Sequence, residues 1–142
     1  MTDELKVSAK KMPFGPLIAR ILMGLMFLIF GLNGFFHFIP NPKGPMPEGE
    51  MAFAGAMMKT GYFFPVVFAT QLIVGILLLC NRFVPLALVL IAPVIVNIIA
   101  FHIFLAPAGI PPGIVVTALE IYLAWSYRSA YESLFQAVAL PE

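Results

Sequence analysis

Charge is what this chain has least of. Only 11% of its 142 residues are Asp, Glu, Lys or Arg, against 61% that are apolar, where a soluble domain carries about a quarter charged. Mean hydropathy is +0.99. A net charge of +1 offers no basic surface, so nucleic acid is not an expected partner. The one cysteine, Cys80, excludes an internal disulfide and a C-x-x-C redox pair. No G-x-x-x-x-G-K-S/T phosphate loop or Rossmann glycine pattern occurs. Serine is confined to Ser8, Ser126, Ser129 and Ser133, near the two ends of the chain, which removes a hydrolytic Ser-His-acid triad from its middle.

What fills the space is long apolar runs. A helix needs about 20 mainly apolar residues to cross roughly 30 Å of hydrocarbon. Four segments meet that demand, at about residues 16–39, 62–80, 83–106 and 112–127. The fourth is the shortest and contains Glu120. The first run is longer than a signal-peptide core and no A-x-A-like site follows it, so a cleaved signal peptide is not expected. The fold class predicted is all-α, an integral membrane four-helix bundle in one domain.

Four crossings place both termini on one side. Lys6, Lys10, Lys11, Arg20, Arg82 and Arg128 flank that side, against Lys43 and Lys59 on the other, and the positive-inside bias makes it cytoplasmic. Tyr122, Trp125 and Tyr127 fit the same interface. The stretch "PNPKGPMPEGE" cannot be helical. After it, residues 48–60 are expected to form a short interfacial helix between helices 1 and 2, with Glu48 and Glu50 at its start and Lys59 at its end, as the helix dipole favours. Pro93 falls inside the third helix, where a kink is expected.

The polar residues within these runs carry the functional reading. At a rise of about 1.5 Å per residue, Gln71 and Glu120 lie near the bilayer midplane. Asn97 lies slightly outward and Asn33 further out, with His37 and His102 roughly 12–13 Å out by the same rise. The inner half has no comparable group. Asn33 and His37 share a face with Phe30 and Met26. Asn97 and His102 stand about 140° apart around an ideal helix, so Asn97 is expected to bond a neighbouring helix while His102 lines the outer opening. An acid at a helix centre costs about 2.5–3.5 kcal/mol on insertion scales and often marks a proton or substrate path, with His102, His37 or Gln71 as candidate partners for Glu120. The competing reading is that these groups only tie helices together. Two histidines at equal depth suit haem as axial ligands, but two lone residues do not define a haem site. A metal site of both histidines and Glu120 would need the acid much nearer the outer surface. Neither haem nor a metal is expected.

Helix 1, "RILMGLMFLIFGLNGFFHF", and the stretch "TGYFFPVVFATQLIVGILLLCNRFVPLALVLIAPVIVNIIAFH", with Q-x-x-x-G-x-L-L-L, an arginine turn and N-x-x-x-F-H, resemble the DoxX-like family over roughly residues 16 to 128. The resemblance implies a small multi-pass protein of the bacterial inner membrane, and recurrent polar positions at Asn33, Gln71, Asn97 and His102. It links some relatives to quinone-dependent thiosulfate oxidation, or to complexes handling oxidative and thiol stress, and implies membrane or periplasmic redox proteins as partners. It assigns no reaction. The expectation is a redox-associated subunit with an outward-facing pocket for a quinone-like or other lipophilic molecule. His37, His102, Asn33, Asn97, Gln71 and Glu120 would bind the ligand, with Glu120 and His102 as candidate catalytic groups, beneath an aromatic rim of Phe35, Phe36, Phe38 and Tyr62. The alternatives are a non-catalytic assembly module and a small-solute or proton-coupled transporter. Gly24 and Gly31 on one face of helix 1 allow close packing, either within the bundle or in a homo-oligomer.

Overall fold

The computed structural model describes residues 12–141. The chain forms helices α1 (Phe14–Phe36), α2 (Glu48–Lys59), α3 (Phe63–Leu79), α4 (Val84–Phe104) and α5 (Ile110–Ser126), with 3-10 turns at Pro107–Gly109 and Arg128–Phe135. The four long helices form an antiparallel bundle. α1 packs along α3, α3 on α4, α4 on α5, and α5 back on α1. One end, the terminal end, carries the start of α1 and the end of α5. The other, the loop end, carries α2 and the α4–α5 connection.

Apolar side chains point outward as well as inward. Leu22, Ile29, Val66, Ile73, Val96 and Ile121 are all exposed, a surface that is stable only against lipid. Inside, Met23, Val74, Leu78, Leu88, Ile91 and Leu123 are fully buried and fill the middle and the terminal half.

The α1–α3 contact is a backbone-to-backbone approach. A Cβ on Gly75 would stand 2.7 Å from the Leu28 nitrogen, and one on Gly31 would stand 2.9 Å from that of Leu72. Gly24 meets Leu78 and Leu79 in the same seam. The glycine face of α1 is therefore used within the bundle.

At the terminal end α3 stops in a four-residue turn, with Asn81 and Phe83 in the left-handed region. The carbonyls left free in the last turn of a helix need donors. Arg20, only 5% exposed, reaches across from α1 and donates from Nη1 to the Leu78 carbonyl and, at 3.3 Å, to that of Leu79. The sequence reading treats Arg20 as an interfacial cation; it is a buried cap on a neighbouring helix.

Several expectations shift. α1 ends at Phe36, where His37 turns left-handed, and α5 begins at Ile110, with prolines tolerated in its first turn. α3 and α5 are equally short, at 17 residues each, which reach about 26 Å by the helical rise. α1 and α4 satisfy the crossing length singly, α5 does so with the 3-10 turn before it, and α3 only together with α2, to which it stands at 90°. α2 folds across the loop end, where Phe53 meets Phe101 with ring centroids 5.5 Å apart. α4 passes through Pro93 as one helix.

Candidate functional site

The packed core stops part-way along the bundle axis. Above Phe27, Gln71 and Val116 the four helices line a half-open cavity of about 420 Å³, within the range of small-molecule sites. α1 contributes the stripe Met26, Phe30, Asn33 and His37, one turn apart each. α3 contributes Phe68 and Gln71, α4 Ile98 and His102, and the start of α5 Gly113 and Val116. A second cavity of about 340 Å³ lies under α2, between α3 and α4. Phe68, Gln71, Ile98 and His102 line both and form the wall between them.

Gln71 is the deepest polar group here. It is 7% exposed, and its Oε1 is buried without a hydrogen-bond partner. Such a group costs roughly 1–3 kcal/mol.

His102 is held in place by the turn that follows its helix. Its Nδ1 lies 3.0 Å from the Ala106 carbonyl. The ring occupies the space that a side chain at Gly109 would need, since a Cβ there would stand 2.0 Å from Cε1. Gly109 therefore lets the α4–α5 connection close over the imidazole. A carbonyl only accepts, so Nδ1 carries the proton, and in the neutral ring Nε2 is left as an acceptor.

Asn33 is partly committed. Its Oδ1 accepts from the Ile39 amide at 2.6 Å, closing the chain beyond α1 and leaving the side-chain NH₂ for the cavity. His37 follows at the exposed mouth, with φ 51°. The rim residues Phe35, Phe36, Phe38 and Tyr62 are exposed.

Two residues stand elsewhere. Asn97 lines only the second cavity and donates from Nδ2 to the Pro93 carbonyl of its own helix at 2.9 Å, so the expected bond to a neighbouring helix is not made. Glu120 lines neither cavity. It sits one turn beyond Val116 toward the terminal end, half-buried, with Oε2 unpartnered; none of His37, His102 and Gln71 bonds it. Nearby, Tyr131 donates to the Pro85 carbonyl at 3.2 Å. Burial first, then the charges of Glu120 and Tyr127, hold its phenol above the usual range. No cluster of three His, Cys, Asp or Glu side chains suited to a metal occurs among the described residues.

Missed from sequence were Gly109, Gly113 and Val116. The signal was the "PAGIPPG" connection, whose two glycines follow His102 closely enough to pack on it.

A helical bundle with apolar side chains turned outward and a polar-lined cavity within is an integral membrane protein in contact with the lipid bilayer. The family model described as DoxX matches residues 15–108, from the first turn of α1 into the turn before α5, and the chain belongs to the DoxX family. No curated protein and no solved structure matches the chain.

Proposed function

We propose that this DoxX protein is a redox-associated subunit of the bacterial inner membrane whose loop-end cavity binds a quinone-like or similarly lipophilic small molecule. The observation that carries the reading is the cavity of about 420 Å³ that gathers Gln71, His102, Asn33 and His37 in an otherwise apolar lining. An aromatic wall of Phe27, Phe30 and Phe68 suits a flat ring. His102 and Asn33 hydrogen-bond its polar edge, and His37 stands at the mouth. Glu120, placed among the binding groups by sequence, is not given a contact with the ligand.

The basic flanks favour the terminal end as cytoplasmic. Arg128 over the Trp125 ring, 5.0 Å from its centroid, is suited to that interface. The cavity then faces outward, toward other membrane or periplasmic redox proteins.

The assembly-module reading makes the polar side chains inter-helix ties. Asn97, Thr70 and Thr117 each bond a carbonyl of their own helix, and Asn33 bonds the chain just after its own. Among the described residues, only Arg20 makes side-chain bonds between the long helices. A transporter would need a path through the terminal half, which Met23, Leu78, Leu88, Ile91 and Leu123 fill.

The test is uptake of a decyl-substituted benzoquinone by the protein in lipid nanodiscs, against protein-free discs. Saturable binding, lost in Val116→Phe, which fills the cavity floor, is expected. Uptake equal to that of empty discs overturns the reading.

A further inference from the structure

The second cavity, of about 340 Å³, occupies the groove between α3 and α4 beneath α2. Its lining runs from Phe63 to Gln71 on α3 and from Pro93 to His102 on α4, about 12–14 Å along each helix at the helical rise. The groove is thus extended along the helix axes, the direction in which the chains of a bilayer lie. Phe53 and Ala54 of α2 close its loop end. Its side is open. Pro93, near the middle of α4, and Asn97 one turn on are both exposed, at a level where the surroundings are hydrocarbon.

Little in this lining seeks a polar ligand. Asn97 turns its NH₂ onto its own helix, and the other polar members, Gln71 and His102, are shared with the first cavity. All the rest is aromatic or aliphatic.

The two cavities are one side chain apart. Every residue of α3 and α4 that lines the first also lines the second: Phe68, Gln71, Ile98 and His102. His102 is tied to the Ala106 carbonyl, and Phe68 lies over Gly34 and stacks on Phe64. Gln71 Oε1 has no partner and Ile98 is held by packing against the core, so the partition is weakest at that pair.

We infer that the second cavity is a chain subsite, which takes the alkyl or prenyl chain of an amphiphile whose ring occupies the first. The chain crosses the partition at Gln71 and Ile98 and meets the bilayer beside Pro93. This rests on the reading of the first cavity as a ligand site. It adds that the ligand is a ring bearing a hydrocarbon chain, taken up sideways from the membrane between α3 and α4.

The test is photolabelling in lipid nanodiscs with a benzoquinone that carries a diazirine on its decyl chain. Label is expected to concentrate on side chains of the second cavity, such as Phe64, Val67 and Phe101, over the exposed Ile121 of α5. It falls to the Ile121 level in Ala54→Trp, which fills the cavity from α2, a helix without a buried residue, and again in Val67→Phe. In both variants a benzoquinone without the chain binds as it does to wild type. Val116→Phe, which fills the first cavity, also removes the label. If label stays on the second cavity in Val116→Phe, that cavity takes any bilayer chain independently of the ring. The inference is then overturned while the first cavity stands as a ligand site. Even labelling of the second cavity and Ile121 in wild type overturns it too. If the chainless quinone does not bind above empty discs, the underlying reading fails with it.

Discussion

Two polar side chains are buried among the described residues of the bundle, Arg20 and Gln71, and each keeps one buried atom without a partner, Arg20 Nε and Gln71 Oε1. Arg20 spends its guanidinium on the open carbonyls of Leu78 and Leu79, where a cation also suits the negative end of α3. Hydrogen bonds to a charged group are worth about 1.5–3 kcal/mol each. Arg20→Met should therefore lower unfolding stability in detergent by about 2–3 kcal/mol. Arg20→Lys should recover part of it, as a single ammonium lacks the guanidinium fork; a Met variant as stable as wild type would contradict the capping role. Sequence counted Arg20 among the basic flanks and missed its direction. Depth follows from counting along a helix, whereas direction depends on which neighbour lies beside it. The same gap explains Asn97 and Glu120: one turned onto its own helix, the other to a level below the cavity.

Among the elements, α1 was the most legible. Met26, Phe30, Asn33 and His37 recur every turn, and that stripe lines the cavity. α3 was the least legible, because its inner and outer faces are both apolar and no period of 3.6 marks the buried side. Its inner face is set by Gly75 against Leu28 and by Gly31 of α1 against Leu72. With partner backbone atoms at 2.7 and 3.0 Å from a Cβ built on Gly75, no side chain can rotate away to make room. Gly75→Ala should push α1 and α3 apart and cost about 1–3 kcal/mol, read as a lower midpoint of unfolding in detergent. An unchanged midpoint would mean that the seam is looser than described. The short length of α3 was also hidden, because the residues around it are apolar enough to extend the run on paper. The Asn81 and Phe83 turn, with both residues at positive φ, ends it.

Taken whole, the molecule is packed solid at one end and hollow at the other. The solid end holds the helices with glycine seams, a buried arginine cap and an apolar core. The hollow end keeps a polar amide and an imidazole at a wall between two cavities. Fold class was readable from composition and spacing. The closure over His102 was not, since it depends on Gly109 leaving room for the imidazole under the α4–α5 turn. An unsatisfied polar group held at a hollow lowers stability and is retained when it serves a ligand. The measurement that tests this most directly is the unfolding midpoint of Gln71→Met beside wild type, both delipidated and without added ligand. If Gln71 is kept for a ligand, the variant loses a buried unpartnered oxygen and is more stable, by about 1–3 kcal/mol. A variant less stable than wild type would mean that Gln71 holds the bundle together, and would contradict the account.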